Sequence, residues 1–459
     1  MYSRRHFILT GLGLGAATLL NPELSFASNP GTLRAGSGRA HVELSGLYPL
    51  GDFVSEHDPL CVRVLLMDNA VQRQAIAVVD LTSLTEEVIV RMKVILAGIA
   101  NVTTMNTTII ASHSFSTPHI SIAPEHAQDN ITQTLAILVA FEDALRTASR
   151  RALDTLQPAR LGAGSGYCRI GVNRNIVTPQ GWWLGADDSG YSDPHVGVLR
   201  IDGQDGQPLA VLMNYAVQPA VMDASQCVSG GRLISADLAG SATHCVETRY
   251  GGKTVAFYLV GCAGDQVPYL QASRHIVHPD GSVGRTDIHE QGFTLVDLFG
   301  RRLGDEVVRV ADAISTSEIS PLKLQRTAIS LPKQAFSPRH QPTGPVKTFT
   351  WREIGPGKMP VILMQWGNTV LIGVQPELSA STGAYIRSAS PFPNTFIMTM
   401  VDGADKYLPD SSNYDHFTYE SRSSPYAPGA AEQAAEAIID QLKQLNRKGS
   451  VPAEGEMTP

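Results

Sequence analysis

The chain has 459 residues, enough for one large domain or two ordinary domains with a complete hydrophobic core. Its content of 43% hydrophobic and 17% charged residues is typical of a soluble globular protein. The formal net charge of -7 gives no support for a nucleic-acid partner or an anionic membrane surface. No apolar run after the N-terminal segment is long enough to cross a bilayer, so we expect no transmembrane helix in the mature protein.

The N-terminal segment has the pattern of an export signal. Arg4 and Arg5 precede an apolar run at residues 11–20, and residues 25–27 form a small-x-small cleavage site. The alternative is a chance basic pair before an apolar run. We predict that residues 1–27 are a twin-arginine signal peptide read by the twin-arginine export machinery. The mature protein is then periplasmic or secreted, in a bacterium.

The first part of the remaining chain alternates between strand and helix patterns. Runs rich in β-branched residues predict strands, and apolar residues at helical spacing predict helices. The predicted elements are an entry strand with glycine turns (32–46), strands at 61–67 and 74–80, a helix opened by a capping box at 83–86, a strand at 107–111 and a helix at 131–156.

The second part contains the same two patterns. The predicted elements are strands at 210–215, 254–260, 369–374 and 395–401, helices at 290–313 and 430–445, and a proline-rich, strand-poor region at 319–358. We find no internal repeat and no Gly- or Ser-rich linker that would divide the chain. The sequence therefore predicts an α/β fold with a mixed β-sheet core flanked by helices.

Polar or glycine-containing turns follow five of the predicted strands. The turns are marked by His113, Gln218, Asp265, Glu377 and Asp402. If these strands share a sheet, their carboxyl ends bring the turns together at one edge, where α/β proteins place their sites. The sequence thus predicts one composite site built from distant segments.

With these elements in order, the chain resembles the catalytic domain of the neutral/alkaline (non-lysosomal) ceramidase family. The resemblance extends from about Arg34 to Leu445 and rests on short motifs that stand in the family's order. The motifs are RAGSGRA (34–40), ASHSFSTP (111–118), VNR (172–174), SADLAG (235–240), Gly264-Asp265, Glu377 and YLP (407–409), with Tyr419 twelve residues after Tyr407. The resemblance implies a ceramidase-like catalytic domain at residues 32–446. We expect a disordered tail at 447–459 and, as a departure from the family, no C-terminal immunoglobulin-like domain.

The resemblance also implies a zinc-dependent amidase, in which a zinc-bound water attacks the amide of an N-acylsphingosine. Zinc lowers the pKa of its bound water and polarises the carbonyl, and a nearby tyrosine or arginine donates to the oxyanion. By position, the implied metal ligands are His113, Gln218, Glu377 and Tyr407, and the implied catalytic residues beside the substrate are Arg174 and Tyr419.

Three positions depart from the family's pattern. Gln218 stands where the family has its second metal histidine, and an amide oxygen is a poor replacement for imidazole on zinc. Phe115 stands at the second histidine of the His-x-His element, and Val267 at a serine near the Gly-Asp element. These changes remove acid-base capacity that ceramide hydrolysis would use.

Other residues were weighed for this chemistry. Asp237 could contact a metal, but a role in capping the following helix is favoured. His275 and His278 have a spacing that could clamp a metal, but a solvated loop is favoured, and His119 could replace the histidine lost at Phe115.

Two main functions stay open from the sequence. The first is a periplasmic metal-dependent amidohydrolase that cleaves a small-molecule or lipid N-acyl amide, with N-acylsphingosine as one candidate. The second is an altered relative that binds a lipid or amide ligand without hydrolysing it. A third is a hydrolase with a harder ion held by Glu377, Gln218 and Tyr407.

Overall fold

The computed structural model describes residues 32–122, 131–335 and 342–449. The predicted signal peptide and most of the predicted tail lie outside the described residues. Among the helices that are described, none is long and apolar enough to cross a membrane.

The strands and helices of the described chain alternate over its length. In chain order the strands are Arg34–His41 (β1), Phe53–Glu56 (β2), Cys61–Asp68 (β3), Arg73–Val79 (β4), Thr107–Ala111 (β5), Gln157–Pro158 (β6), Arg160–Tyr167 (β7), Gly171–Thr178 (β8), Gly181–Asp187 (β9), His195–Asp202 (β10), Pro208–Tyr215 (β11), Arg232–Ile234 (β12), Val255–Val260 (β13), Gln266–Pro268 (β14), Ser273–Val277 (β15), Val283–Asp287 (β16), Leu322–Gln334 (β17), Glu353–Trp366 (β18), Thr369–Val374 (β19), Glu377–Leu378 (β20), Asn394–Met398 (β21) and Tyr407–Leu408 (β22). The α-helices are Glu86–Ala100 (α1), Ile131–Asp154 (α2), Asp237–Arg249 (α3), Phe293–Ala313 (α4), Ala380–Ala389 (α5), Ser411–Asp415 (α6), Tyr419–Arg422 (α7) and Ala430–Gly449 (α8).

Three larger mixed sheets form the body of the fold. Their strand orders are β5-β4-β3-β1-β6, β13-β11-β10-β7 and β17-β18-β19-β21. Each contains one parallel pair at its edge, β4 with β5, β11 with β13, and β19 with β21. The prediction of an α/β fold with mixed sheets flanked by helices is confirmed.

A central hydrophobic cluster lies between the three sheets. Alternate residues of each sheet point into it, including Leu65 from β3, Leu212 from β11 and Met364 from β18. The opposite faces are covered by helices: α1 and α2 on the first sheet, α3 and α4 on the second, α5 and α8 on the third. Because helices cover one face of each sheet and the central cluster covers the other, the buried strands have nearly continuous apolar sequences.

Two local predictions were wrong. Residues 319–358 were expected to be poor in strands, but this region contains β17 and the start of β18, which form a long antiparallel pair. Pro332 is tolerated because β17 is an edge strand, and Pro356 and Pro360 lie in the part of β18 that pairs with β17 alone. The expected capping box also fails, since α1 begins after Thr85 with no side-chain cap.

The glycines of the entry strand were expected to form turns, but Gly36 and Gly38 lie within β1. A Cβ atom on Gly38 would stand 2.2 Å from the carbonyl oxygen of Ala148 in α2. These glycines therefore allow α2 to pack directly on the backbone of the first sheet.

The five predicted strand ends belong to three sheets and not to one. The segment after β21 joins them, because Thr399 N–H donates to Val260 O at the end of β13 and Ala111 N–H, at the end of β5, donates to Met400 O. This junction brings the carboxyl ends of the three parallel pairs together.

Candidate functional site

His113 follows the end of β5 and is fixed from two sides. Its backbone takes a left-handed φ of 69°, and its Nδ1 lies 2.6 Å from the carbonyl oxygen of Thr82. Because a carbonyl only accepts, Nδ1 carries the proton. Nε2 is the nitrogen that faces the other predicted site residues, which together are called the cluster below. Nε2 lies 3.1 Å from Glu377 Oε2. The ring of Phe115 packs edge-on against the imidazole, with 4.8 Å between ring centroids.

Glu377 and Tyr407 are brought side by side by a short parallel strand pair. β20 and β22 place Glu377 opposite Tyr407, and Glu377 N–H donates to Lys406 O at 2.8 Å. Gly264, after β13, packs on this pair, and its N–H donates to Leu378 O at 2.9 Å. The Gly-Asp motif seen in the sequence thus supports the backbone that carries Glu377.

Gln218 lies between a guanidinium and a carboxylate. Arg174 Nη1 donates to Gln218 Oε1 at 3.1 Å, and Gln218 Nε2 donates to Glu377 Oε2. The side chains of all three residues are buried. The amide therefore links the positive charge of Arg174 to the negative charge of Glu377.

Arg174, in β8, is the most connected side chain of the cluster. Its Nε donates to Glu420 Oε1 at 2.6 Å, and its guanidinium carbon lies 5.2 Å from the ring centre of Tyr407 and 5.6 Å from that of Tyr419. Burial opposes the charge of Arg174, but Tyr407 and the carboxylates of Glu420 and Glu377 raise its pKa well above the usual value.

The pKa shifts of the remaining groups follow from burial. Burial alone would lower the pKa of His113, but the Glu377 carboxylate and the Thr82 carbonyl raise it above its usual value. Burial raises the pKa of Tyr407 and of Tyr419, so both phenols stay protonated at neutral pH and can donate hydrogen bonds.

Three buried polar atoms of this cluster have no hydrogen-bond partner within the described chain. They are His113 Nε2, Arg174 Nη2 and Glu420 Oε2. Buried polar groups are normally paired, so atoms left unpaired beside a cleft mark a place for a ligand or water. Arg174 Nη2 offers a charged donor, which suits a carbonyl oxygen or an anion.

A small open cleft of about 50 Å³ lies next to the cluster. Phe115, Leu184 and Val267 form an apolar wall. The polar side chains that line the cleft are Arg174, Gln218, Asp223, Gln271, His275 and Arg285. Two of the three departures from the family's pattern, Phe115 and Val267, therefore make this wall apolar. A larger groove between β1 and α2, lined by residues such as Arg39 and Asp143, has none of these lining residues.

The metal ligands and catalytic residues that the resemblance implied come together in the structure. Two of the five residues that mark the predicted strand ends, Asp265 and Asp402, have other roles. His113, Gln218, Glu377, Arg174, Tyr407 and Tyr419 are linked by the contacts described above. Asp265 lies at the start of α5, where its Oδ1 accepts a hydrogen bond from Ala380 N–H at 2.9 Å. Burial raises the pKa of Asp265 to about 7. Asp402 instead pairs with Lys93 of α1 and with Arg326 of β17.

The other weighed residues have different outcomes. Asp237 is the first residue of α3, and its carboxylate accepts from the backbone N–H groups of Leu238, Val221 and Met222. It therefore ties the start of α3 to the loop after β11, which agrees with the favoured structural role. His119 is exposed.

The prediction of a solvated loop at His275 and His278 was wrong for His275, whereas His278 is exposed and follows the end of β15. His275 lies in strand β15 and lines the cleft, with its ring edge-on to Trp183 at 6.2 Å. Burial lowers its pKa to about 4, so the imidazole is neutral at physiological pH.

Sequence reasoning missed Glu420 and Trp183. Glu420 directly follows Tyr419 in a short helical turn and is the partner of Arg174. Trp183 packs edge-on against Tyr419 at 6.0 Å. The only signal in the sequence was the adjacency of Glu420 to a residue already assigned to the site.

The zinc ion implied by the resemblance can be tested against these side chains. His113 fits, since its Nδ1 is held by a carbonyl and its buried Nε2 is unpaired. Gln218 does not fit, because it presents an N–H to Glu377 while its oxygen is held by Arg174. Within the described residues, no group of three or more His, Cys, Asp or Glu side chains is arranged to hold a metal. The residues as arranged do not form a four-ligand zinc site.

The chain was compared with known proteins. No family model matches it, and a search of curated proteins gave no match. Among solved structures it is similar to neutral ceramidase from Pseudomonas aeruginosa, with a TM-score of 0.68 and 18% identity, covering 94% of this chain and 77% of that chain. It is also similar to a ceramidase complexed with C2, with a TM-score of 0.67, 18% identity and the same coverage. The predicted resemblance to neutral ceramidase is confirmed at the level of the fold.

Proposed function

We propose that this protein is an amidohydrolase related to neutral ceramidase, which cleaves an N-acyl amide in the cleft beside Arg174. One observation carries the proposal: six side chains from separate segments meet beside an open cleft, in a chain with the fold of ceramidase. Fold alone does not define function, but a charged donor at the cleft with two phenols beside it suits acyl chemistry.

Arg174 and Tyr419 are the groups that would bind the substrate carbonyl. Arg174 Nη2 is buried and unpaired, and Arg174 lines the cleft. A guanidinium and a protonated phenol in a poorly hydrated site stabilise the negative charge that develops on the carbonyl oxygen. Glu420 holds the guanidinium in place.

His113 and Glu377 are the groups that would accept a proton from the attacking water. With Nδ1 protonated, Nε2 is the nitrogen of His113 that can take up and release a proton, and the adjacent Glu377 carboxylate raises the pKa of the imidazole. The carboxylate stabilises the imidazolium that forms when Nε2 takes the proton. Proton transfer back to the leaving amine would complete hydrolysis.

The apolar wall supports a substrate with a hydrocarbon acyl chain. Phe115, Leu184 and Val267 line the cleft next to the polar groups, and apolar side chains of this kind favour contact with a hydrocarbon chain. A lipid amide carries such a chain, and N-acylsphingosine is one member of that class.

A second candidate is a protein that binds such a lipid or amide without hydrolysing it. The contact of Gln218 with both Arg174 and Glu377 favours it, because this contact links the two charges of the cluster internally. Binding would then depend on Arg174, and turnover would be absent.

The location of the protein also remains a proposal. The twin-arginine pattern of residues 1–27 supports export to the periplasm or beyond. Export of a folded chain by this route is consistent with the large, non-local fold described above.

The function is tested by assaying a panel of N-acyl amides with fluorogenic amines, graded in acyl length, on wild-type protein and on Arg174→Lys. Lysine keeps the charge beside Glu420 but lacks the planar set of donors. We expect hydrolysis by the wild type and a kcat/KM about 100-fold to 1,000-fold lower in the variant, the effect of losing one oxyanion donor.

Arg150→Lys, on the exposed face of α2, is the matched control and should leave the rate unchanged. Thermal melting of all three proteins separates a loss of fold from a loss of chemistry. Ligand binding without turnover in the wild type would support the second candidate, and absence of both would refute the proposal.

A further inference from the structure

The amide of Gln218 is held in one orientation by its two charged neighbours. Arg174 Nη1 donates to Oε1 at 3.1 Å, and Nε2 donates to Glu377 Oε2. A guanidinium can only donate and an ionised carboxylate can only accept. Turning the amide over would place two donors together at Arg174 and two acceptors together at Glu377. The chemistry of the neighbours, and not the fit of the side chain alone, fixes where the oxygen points.

The Glu377 oxygen that accepts this N–H is also the one that faces His113. Oε2 lies 3.1 Å from His113 Nε2 and accepts from Gln218 Nε2. A cation between His113 and Glu377 would bind at that oxygen, beside the N–H of Gln218, whose positive end points to the same place. The side chains of all three residues are buried, so water cannot screen this unfavourable contact.

Gln218 cannot become an oxygen ligand without a further loss. Its Oε1 points to Arg174 and its N–H to Glu377, so the amide would have to turn over and withdraw its acceptor from Arg174, whose Nη2 is already unpaired and buried. The guanidinium would then keep Glu420 as its hydrogen-bonded carboxylate. Leaving a buried charged donor unpaired is costly, so this rearrangement is disfavoured.

We propose that the cluster does not hold a zinc ion, and that the bridge from Arg174 through Gln218 to Glu377 takes the place of the metal. In this arrangement the positive end of the bridge is a guanidinium fixed by Glu420, and its negative end is the carboxylate beside His113. Gln218 is the residue that decides between the bridge and a metal. The inference concerns the cluster used by the proposed function, but its test does not depend on turnover.

The test measures zinc content and thermal melting of wild type, Gln218→His, Gln218→Ala and the double variant Q218H/E377A. Each protein is incubated with zinc sulfate, freed of unbound metal by gel filtration, and analysed by elemental mass spectrometry. Melting is measured with zinc and with chelator, because a metal that binds only the folded state raises the melting temperature.

We expect wild type and Gln218→Ala to retain less than about 0.1 zinc per chain, and Gln218→His to retain about one, since imidazole is a good zinc ligand. Chelator should lower the melting temperature of Gln218→His and leave that of the wild type unchanged. The double variant should retain no zinc. This loss would show that the zinc in Gln218→His binds at Glu377.

Stoichiometric zinc in the wild type, removed by Glu377→Ala, would overturn the inference. A folded Gln218→His variant that takes up no zinc would also overturn it, because Gln218 would then not decide metal binding. If Gln218→His does not fold, the zinc content of the wild type and of Gln218→Ala still tests the inference. Absence of amide hydrolysis in a zinc-free wild type would count against the proposed function and leave this inference intact.

Discussion

At the scale of single residues, Arg174 is the charge that the candidate site is built around. It contacts an amide, a carboxylate and two aromatic rings, all of them contributed by other segments. A buried charge is tolerated only when it is paired and hydrogen-bonded. Glu420 supplies the only carboxylate in hydrogen-bond contact with it among the described residues. Glu420 is therefore a positioning residue, although no sequence motif marked it.

Replacing Glu420 with Ala should lower the free energy of unfolding by about 3–5 kcal/mol, because it leaves the Arg174 guanidinium buried and unpaired. Urea unfolding at neutral pH measures the change. Glu353→Ala removes an exposed carboxylate from β18 and should change stability by less than about 0.5 kcal/mol. Equal effects of the two substitutions would show that the Arg174–Glu420 pair is not buried as described.

Asp58 gives the protein a pH dependence that is separate from the site. It accepts from Ala236 N–H at 2.9 Å and from the hydroxyl of Ser235. Burial raises its pKa to about 6, despite these hydrogen bonds. The folded state therefore keeps a proton on Asp58 at pH values where the unfolded chain has released it. The stability that this group contributes is complete below about pH 4 and is lost as the pH rises through 6.

Asp58→Asn should remove this dependence. Relative to the wild type, the variant should gain about 1–3 kcal/mol of stability between pH 4 and pH 7, since one pKa unit corresponds to about 1.4 kcal/mol. Chemical unfolding at several pH values gives the difference. The control is Asp154→Asn, which replaces an exposed carboxylate at the end of α2 with a carboxamide. A difference that stays constant with pH would contradict the raised pKa.

At the scale of elements, close backbone contacts decide which helix lies on which sheet. α2 packs on β1 because Gly38 has no side chain, and a Cβ there would meet Ala148 O at 2.2 Å and Ala152 N at 2.6 Å. Both atoms are backbone, so neither can move aside cheaply. The same logic applies at Gly264, whose Cβ would stand 3.0 Å from Leu378 O in the strand that carries Glu377.

Gly38→Ala should lower the free energy of unfolding by about 3 kcal/mol or more, because it forces α2 away from the sheet. Gly98→Ala is the matched control, since Gly98 lies on the exposed side of α1 with nothing within 4 Å of an added Cβ. The control should be stabilising by about 0.5 kcal/mol, from the better helix propensity of Ala. Thermal or urea unfolding of the two variants gives opposite signs if the packing is as described.

At the scale of the whole molecule, the three larger sheets share one core. The central cluster contains residues from each of them, and Phe396 of β21 fills the space opposite Gly197 of β10, where a Cβ would lie 2.2 Å from its ring. Arg326 of β17 also reaches the first sheet, donating to Thr107 O and pairing with Asp402. Sheets joined through a shared core are expected to unfold together.

We therefore predict one unfolding transition, with coincident midpoints by far-ultraviolet circular dichroism and tryptophan fluorescence. Phe396→Ala should lower the free energy of unfolding by about 3–5 kcal/mol. The two curves should stay coincident, because the cavity lies in the core that the three sheets share. Two separate transitions, in either protein, would show that the sheets form independent units.

The sequence predicted the fold class and most of the site because both depend on local patterns. Apolar runs marked β5, β11, β13 and β19 as buried, and the polar residues after them were visible at His113, Gln218 and Glu377. The motif order added Arg174, Tyr407 and Tyr419. β17 was missed because prolines and charged residues on an edge strand resemble a loop when neighbouring strands are unknown.

The residues of the site could be named from the sequence, but their hydrogen bonds could not. Gln218 was identified by its position in the chain, whereas the direction of its amide depends on Arg174 and Glu377, which are 44 and 159 residues away. Such orientations follow from the charges that the tertiary structure brings within about 3 Å of each other, the reach of a hydrogen bond. Local periodicity thus determined which residues are buried and where strands end, and only the assembled sheets decided which polar atoms meet.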